Sequence, residues 1–492
     1  MIDILKKRQD LVASFALWGI VILLHLTVLG AFPNRALSQE EKDKSELEVF
    51  KAEQLKEREA FFFQAEQGLD PLQGQSRVDS FWDEVIEGLN FELRFLGFET
   101  AQELSDSRAN PRNILQIPDY SFVVDIRPDF YLDYRRLRLI AKPRNTLIWS
   151  RFEEEIIIPV NDFEVDVFLN EWLAGLQMGE SLFASIGREN LQWGPSNLIS
   201  PSNIFFRENG LRNPKLEIPG QGFGRLVWVP STSWSVSLIA NVSEGANDLI
   251  KDFNPAYALK IDYTGYRKFF SLIPSYREED RGYLGAYAGW RATDGFFFYA
   301  EGLFSKGTNA LYPVDTGNTT PTGDPIFSLE ATEDDSESLE IEAIAGVSYT
   351  FESGPSLALE YFLNTPGYTD GQVDRALDFI DQFGGILGFL PPNIIQEIID
   401  IDSIIDVNLS RLRKHYINFQ YSHSLIRNVF SLGLRYTYNL DDNSSQLIPV
   451  VQYDLNDNFQ LFLVGTHNFG PDDGEFRFFV DYSYFFGLQY TF

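Results

Sequence analysis

The sequence lacks or is poor in the residue types that many catalytic and metal sites require. It has no cysteine, which excludes disulfide bonds, zinc-thiolate sites and cysteine nucleophiles. It has only 4 histidines, so general acid–base chemistry has few candidates. No Ser–His or His–Asp grouping stands near His415, His423 or His467. We therefore expect a protein that is not an enzyme and that binds no cofactor and no metal.

Positive charge is also scarce. Lysine and arginine number 40 against 71 aspartates and glutamates, which gives a formal net charge of −31. A chain this acidic repels phosphate groups, so we expect no nucleic-acid partner. Aromatic residues, in contrast, reach 15% of the chain, and phenylalanine and tyrosine dominate them.

A single long apolar run is present, between Leu11 and Phe32. It follows a basic start, and small residues suited to cleavage stand behind it, namely Lys6, Lys7, Arg8, Ala36 and Ser38. This order is typical of a secretory signal peptide, which we assign to residues 1–38. An uncleaved membrane anchor is the alternative, because the run is long enough to span a bilayer. After Phe32 no run is long enough for another transmembrane helix.

Residues 39–68 are charged and rich in helix-forming residues, and a linker through "GLDPLQGQ" follows them. We read residues 39–86 as a periplasmic helical segment and linker. Its helix either docks on a partner or is a solvated tail.

From about residue 90 onward, apolar and polar residues alternate. In "FVVDIRPDFYLDY" every second residue from Phe122 to Tyr134 is apolar, and the residues between them are mostly polar. This period of two is that of a β-strand. The runs are about 9–15 residues long, and a tilted strand needs about 9–11 residues to cross a bilayer.

Eighteen such runs can be placed between residues 88 and 492, and mostly short turns alternate with mostly longer connections. Bacterial outer-membrane barrels have this alternation, with short periplasmic turns and long outer loops. We therefore predict an all-β fold: a transmembrane antiparallel up-and-down β-barrel of about 18 strands over residues 87–492, preceded by a short periplasmic helix. A barrel of 16 strands is the alternative.

A barrel of this size leaves a lumen, and the polar face of each strand would line it. The predicted pore-lining residues are Asp125, Arg127, Asp129, Asp133, Arg138, Asp262, Glu340, Glu342, Arg435 and Asp481. Both signs of charge occur among them, which suits the passage of ions or polar solutes. The alternative for each residue is an ordinary solvated wall position in a cross-strand pair.

Two of the longer connections have contrasting compositions. Residues 305–337 are polar and end in an acidic run, which predicts a mobile, anionic surface loop. Residues 365–411 include the apolar stretch 376–406, which we expect to fold as one or two short helices. We favour an inward-folded constriction for this connection, and a partner-binding surface is the alternative.

The connection 187–225 is rich in glycine, proline, asparagine and serine. The flat ring of Trp193, with Arg and Asn side chains near it, suits sugars or polar solutes. Five candidate ligand-binding residues follow from this: Arg188, Trp193, Asn203, Arg207 and Arg212. A purely structural role, with glycine and proline setting turns, is the alternative.

Part of this connection, "GRENLQWGPSNLISPSN", resembles segments of two families. It is similar to the Gly-Arg…Trp-Gly segment of porin-type barrels such as the alginate-export family. It also resembles the Trp-Gly-Pro-Gly…Ser-x-Asn segment of the Wzi-type capsule-assembly family, although Ser196 stands at the place of its second glycine. The resemblance implies an outer-membrane barrel that conducts solutes or holds surface polysaccharide.

The sequence therefore predicts a porin-like channel for passive passage of small polar solutes or ions, with a modest cation preference. The alternative is a barrel that exports or attaches surface polysaccharide. The final strand ends in aromatic residues and resembles the C-terminal signal that the barrel-assembly machinery recognises, with Tyr490 and Phe492 as its key residues. The expected location is the bacterial outer membrane, in contact with its lipid. The sequence leaves the oligomeric state open.

Overall fold

A computed structural model describes residues 81–492, apart from 114, 153–161, 209–212, 246–252, 320–322, 324, 331–337, 388–410 and 428. The predicted signal peptide and the predicted helix within 39–68 lie outside these residues. The described chain begins with a helix, α1, at Phe81–Glu87, and the first strand follows at Leu89. The first strand of the barrel therefore follows directly on this helix.

The first eleven strands of the described chain belong to the barrel, as do seven later ones. The first eleven are β1 Leu89–Leu104, β2 Tyr120–Tyr134, β3 Leu137–Arg151, β4 Phe163–Gln177, β5 Leu182–Glu189, β6 Gln221–Ser231, β7 Trp234–Ser243, β8 Ala256–Thr264, β9 Lys268–Arg277, β10 Gly282–Arg291 and β11 Phe296–Lys306. The later ones are β14 Leu339–Thr350, β15 Ser356–Asn364, β16 His415–Ile426, β17 Phe430–Asn439, β18 Ser445–Asp454, β19 Phe459–Phe469 and β20 Val480–Thr491.

These strands form one closed sheet of eighteen strands. Each pairs antiparallel with its neighbours along the chain, and β1 pairs with β20 from Arg94–Thr491 to Leu104–Val480. Closure leaves no strand edge unpaired, which a sheet inside a bilayer requires. The predicted fold class and strand number are confirmed.

The outer face of the sheet is apolar and the inner face is polar. On β7 the outward residues Trp234, Leu238 and Val242 are 40%, 54% and 55% exposed. On β2 the inward residues Asp125 and Asp129 are buried. A water-soluble sheet would bury its apolar face, so this arrangement indicates an outer surface that contacts lipid.

Aromatic rings cluster on the outer face near both ends of the barrel. Near the short turns, Trp234, Tyr263 and Phe270 have ring centroids 5.0–5.7 Å apart. Near the opposite end, the ring of Trp149 lies 5.8 Å from Phe122 and 4.9 Å from Phe163. Such bands mark the two interfaces of a bilayer, because these rings suit the boundary between lipid and water.

The connections define two ends of the barrel. The turn end carries only short connections, such as 135–136, 232–233 and 292–295. The loop end carries the longer ones, including 105–119, 190–220, 307–338 and 365–414, although 278–281 and 440–444 are also short. The predicted alternation is therefore present, with two short exceptions at the loop end.

Further elements lie among the loop-end connections. The segment 305–337 contains a hairpin, β12 Tyr312–Thr319 and β13 Pro325–Glu330, so its described part is not the simple surface loop that we expected. The segment 365–411 contains a helix, α2, at Asp370–Leu387, as its helical spacing predicts. The last strand begins at Val480, after a 3-10 turn at Glu475–Arg477. Neither described helix is long and apolar enough to span a membrane.

Candidate functional site

The described residues of the connection from β5 to β6, 190–208 and 213–220, fold into the barrel, and we call them the lumen segment. Seven of their apolar side chains are buried, at Leu191, Trp193, Leu198, Ile199, Ile204, Phe205 and Phe206, whereas Leu216 is exposed. Their polar groups reach strands that lie far apart in the sheet: Glu217 contacts Arg94 of β1, Ser202 contacts Glu301 of β11, and Asn197 contacts Glu360 of β15. Only a segment inside the closed sheet can touch walls this far apart.

The first half of the lumen segment packs on an apolar part of the inner wall. Trp193 and Phe205 meet edge to face with centroids 5.8 Å apart, and Phe205 meets Phe223 of β6 at 5.1 Å. Ile273 of β9 and Leu303 of β11 complete this cluster. Burial of aromatic and aliphatic surface on both sides fixes the segment against strands β6 to β11.

A buried carboxylate, Glu301 of β11, holds the turn that follows Trp193. Its Oε1 accepts hydrogen bonds from the hydroxyls of Ser200 at 2.6 Å and Ser202 at 2.7 Å. Gly194 approaches the same carboxylate with φ at +93°, and a Cβ there would lie 2.3 Å from Oε2. Both the left-handed backbone and the lack of space require glycine at this position.

A second buried carboxylate, Glu360 of β15, binds the next two residues of the segment. Its Oε1 accepts the backbone N–H of Asn197 at 2.6 Å, and its Oε2 accepts that of Leu198 at 3.0 Å. The Tyr299 hydroxyl and the Asn418 amide also donate to it, at 2.7 and 2.9 Å. The Asn197 side-chain amide donates to Oε1 as well, at 3.0 Å. A buried carboxylate needs several donors to offset its lost hydration, and the segment supplies three of them.

The second half of the lumen segment lies against strands β1 to β4 through Glu217. Its carboxylate contacts three arginines on neighbouring strands: Arg94 Nη2 at 3.5 Å, Arg127 Nη1 at 3.7 Å and Arg144 Nε at 2.5 Å. Burial raises the pKa of Glu217, but the Arg144 hydrogen bond and the three positive charges outweigh it and lower the pKa overall. Glu217 is therefore ionised at neutral pH.

Lys215 reaches the opposite side of the seam between β1 and β20. Its ammonium donates to Gln489 Oε1 at 2.9 Å and to Gln460, and it lies 5.1 Å from the centre of the Phe462 ring. Burial, with the nearby charge of Arg127, lowers the pKa of Lys215 to about 8. This residue consequently titrates close to physiological pH.

All ten predicted pore-lining residues lie on the inward face of their strands, as the register places them. Several of them form ion pairs: Asp125 with Arg127 at 2.7 Å, and Glu342 with Arg207 at 2.9 Å. Asp481 accepts from Ser105 at 2.9 Å. The other six are Asp129, Asp133, Arg138, Asp262, Glu340 and Arg435. On the described strands, inward carboxylates outnumber inward lysines and arginines.

The predicted ligand-binding residues fall in different places. Trp193 is 6% exposed. Asn203 is fully buried, and its side-chain amide donates to the Leu191 carbonyl at 2.9 Å and accepts from the Phe205 N–H at 3.1 Å. Arg188 shares the outward face of β5 with Ile186 and donates to the carbonyl of Leu169 at 2.6 Å. Arg207 pairs with Glu342, and Arg212 lies outside the described residues. The structure therefore does not bring the four described side chains together.

The expectation that 365–411 forms the constriction needs correction for its described part. The apolar face of α2 packs on other loop-end connections, where Val373 and Leu377 join Tyr312 of the hairpin in one cluster. Arg108 of the 105–119 connection binds Asp378 of α2 at 2.8 Å. The apolar residues are thus covered at the loop end, and residues 388–410 lie outside the described part. The segment that enters the lumen is 190–220.

The three described histidines lie away from the lumen. His415 Nδ1 is 2.7 Å from the Tyr361 hydroxyl, and His467 Nε2 is 2.7 Å from the Tyr484 hydroxyl, both on the outward face. His423 lies within β16, also on its outward face. In the part of the chain that the structure describes, no group of acidic or histidine side chains could hold a metal ion.

Sequence reasoning missed the residues that hold the lumen segment, above all Glu217, Glu301 and Glu360. Glu217 stands in a connection without any period, so nothing marks it as different from a solvated residue. Glu301 gave a signal: in "FFFYAEGLFSK" it alternates with outward residues and is the one charge within the central part of β11. A buried acid on an otherwise apolar or aromatic inner face predicts a partner from elsewhere in the chain.

These features define a membrane-spanning β-barrel with a segment of its own chain folded into the lumen. No family model and no curated protein matches the sequence, so its resemblance to the two families stays a resemblance. Solved structures that this chain resembles include Pseudomonas aeruginosa OccK5 (OpdH), at 9% identity over 82% of this chain and 98% of that one, with a TM-score of 0.46.

Two further solved structures resemble this chain at a similarly low sequence identity. The improved crystal structure of Pseudomonas aeruginosa OprD has 9% identity over 83% of this chain and 96% of that chain, with a TM-score of 0.47. A triple mutant of the Rhodopseudomonas blastica porin has 8% identity over 82% and 100%, with a TM-score of 0.39. Likenesses this distant add nothing to the fold that the strand pairing already defines.

Proposed function

We propose that the protein is a bacterial outer-membrane channel through which small polar solutes or ions pass passively, and that it is not an enzyme. The observation that carries the proposal is a charged inner face on a barrel of eighteen strands. Wall side chains alone cannot fill a barrel of this width. The lumen segment narrows that space, and its Glu217 keeps 27% of its side chain exposed.

The direction of insertion follows from the connections. We propose that the turn end faces the periplasm and the loop end faces outside, with export directed by residues 1–38 and assembly by Tyr490 and Phe492. The excess of inward carboxylates supports a modest preference for cations. The ten inward residues are proposed as the wall around the conduction path. Asp125, Arg127, Asp129, Glu342 and Arg435 are buried in that wall, and the other five are at least partly exposed.

A role in polysaccharide export or attachment receives less support. It depended on a ring at Trp193 that could stack on a sugar, and this ring is buried against Phe205 and the inner wall. We propose instead that Trp193 and Asn203 anchor the lumen segment.

Single-channel recording in planar bilayers tests the proposed channel. Purified, folded protein is expected to produce stepwise conductance, and a gradient of potassium chloride is expected to give a reversal potential on the cation-selective side. Folded protein that inserts without conductance above background would remove the proposal, and an anion-selective reversal potential would remove its charge preference.

A further inference from the structure

We propose that Glu217 sets the charge that the narrowed lumen presents to a passing ion, and so determines the ion selectivity of this barrel. This inference rests on the proposed channel function and names the residue that governs it.

Glu217 is the acceptor on which three arginines of the inner wall converge. Arg94, Arg127 and Arg144 stand on the adjacent strands β1, β2 and β3, and each has a guanidinium nitrogen within 3.7 Å of the Glu217 carboxylate. Asn170 of β4 donates to the same carboxylate at 3.2 Å. The Glu217 side chain, which belongs to the lumen segment, thus contacts four neighbouring strands of the barrel wall.

Two aspartates and Glu92 complete the network. Asp125 accepts from Arg127 Nε at 2.7 Å, and Asp129 accepts from Arg144 at 2.8 Å and from Arg94 at 2.6 Å. Glu92 of β1 has its Oε1 3.3 Å from Arg94 Nε. Three guanidinium groups therefore face four carboxylates, and the network carries one net negative charge. Without Glu217 it would be neutral, with Lys215 in the same part of the lumen.

The members of the network differ in how far water reaches them. The side chains of Arg127, Arg144 and Asp129 are 6%, 3% and 2% exposed, whereas those of Glu217 and Arg94 are 27% and 25% exposed. The Glu92 side chain is 45% exposed. An ion in the lumen therefore meets Glu217, Arg94 and Glu92 directly. The lumen segment adds a second accessible carboxylate to a wall that otherwise presents the pair of Arg94 and Glu92.

The size of the effect follows from Coulomb's law. A unit charge about 10 Å from an ion in water changes the local concentration of that ion about two-fold, in opposite directions for cations and anions. Removal of the Glu217 charge should therefore lower the cation-to-anion permeability ratio about four-fold at low ionic strength, where screening is weak.

The test is the reversal potential of Glu217→Gln in planar bilayers under a gradient of dilute potassium chloride. The permeability ratio is expected to fall about four-fold. Glu217→Asp, which keeps the charge, is expected to keep the ratio. The matched control is Asp294→Asn, which removes the same charge from a turn-end side chain that is 97% exposed, and it is expected to change the ratio little.

Two variants at Arg94 separate charge from structure. Arg94→Gln alone is expected to raise the ratio, and the double variant Glu217→Gln with Arg94→Gln is expected to return it to within about two-fold of the unmodified protein. A double variant that stays as low as Glu217→Gln would show that displacement of the segment, and not charge, causes the change, and it would overturn the inference.

The two proposals fail in different ways. Conducting Glu217→Gln channels with an unchanged ratio overturn the inference and leave the channel function intact. Absence of conductance in the unmodified protein overturns the channel function and this inference with it. If Glu217→Gln does not fold, an unchanged ratio in Arg94→Gln contradicts the inference in its place.

Discussion

At the scale of single residues, Lys215 shows how contact between the lumen segment and the barrel wall changes the pKa of a charged side chain. The ammonium of Lys215 contacts two glutamine side chains and the face of Phe462 in place of bulk water. Arg127 donates a hydrogen bond to the backbone carbonyl of Lys215 at 3.0 Å. Burial and the arginine together disfavour the protonated form. The pKa of about 8 lies below the ordinary value for lysine, so protonated Lys215 lowers the free energy of unfolding at pH values below about 8. This destabilisation disappears as the pH rises and the residue becomes neutral.

The titration of Lys215 predicts a pH-dependent selectivity. Above about pH 8 the residue is neutral, so the lumen loses one positive charge. The cation-to-anion permeability ratio should therefore rise between pH 7 and pH 9, about as much as one unit charge allows. Reversal potentials at a series of pH values measure it.

Lys215→Met provides the comparison for this prediction. It carries no charge at any pH, so its ratio at pH 7 should already match the high-pH value of the unmodified protein. Lys268→Met, at an exposed outward position near a turn, should retain the pH dependence. A pH response of full size in Lys215→Met would show that another group is responsible.

Residue roles in the lumen segment were only partly predictable. The glycine-rich stretch predicts turns, and Gly194 has a left-handed backbone conformation. The Trp193 ring was read as a ligand platform because its sequence neighbours are polar. In the fold its neighbours are Phe205 and Phe223, and a local sequence window cannot show the wall of β6.

At the scale of elements, the last strand closes the barrel and its terminal residue takes part. The Phe492 N–H donates to the Leu93 carbonyl at 2.9 Å, and the Leu93 N–H donates to the Phe492 carbonyl at 3.1 Å. The Tyr490 ring lies 4.6 Å from Phe459 and 6.4 Å from Phe95, across both neighbours of β20. The Phe492 ring itself is 73% exposed on the outer face.

Deletion of Phe492 should impair assembly more than conduction. It removes two hydrogen bonds of the closing pair and the proposed recognition residue, but its side chain points away from the lumen. The amount of folded barrel in the membrane fraction should fall, and the channels that do insert should have the conductance of the unmodified protein. Phe469→Ala, at an outward ring that is 49% exposed, is the control. Normal amounts of folded protein after the deletion would contradict this role.

The strands were predictable because lipid and water impose a period of two on every one of them. The lumen segment has no such period. Its position depends on partners far away in the chain, such as Glu360, which lies 163 residues from Asn197. Composition led us to expect the apolar 365–411 connection in the lumen. Its helix α2 is covered instead by the β12–β13 hairpin, whose pairing the sequence did not predict.

At the scale of the whole molecule, the barrel has an apolar outer face that contacts lipid and a charged inner face. The lumen segment connects distant parts of this wall. Its ion pairs and hydrogen bonds reach strands β1 to β4, strands between β9 and β15, and strands β19 and β20. Buried carboxylates of the wall hold its first half, and arginines of the wall hold its second half. The same contacts that stabilise the segment thus fix which charges remain accessible in the lumen.

Single-channel conductance is the measurement that tests this account most directly, because its central claim is a conducting lumen narrowed by residues 190–220. The unmodified protein should be compared with a folded variant in which a short Gly-Ser linker replaces residues 191–219. We predict stepwise conductance in the unmodified protein and a larger step in the variant. No conductance in either protein, or the same step in both, would contradict the account.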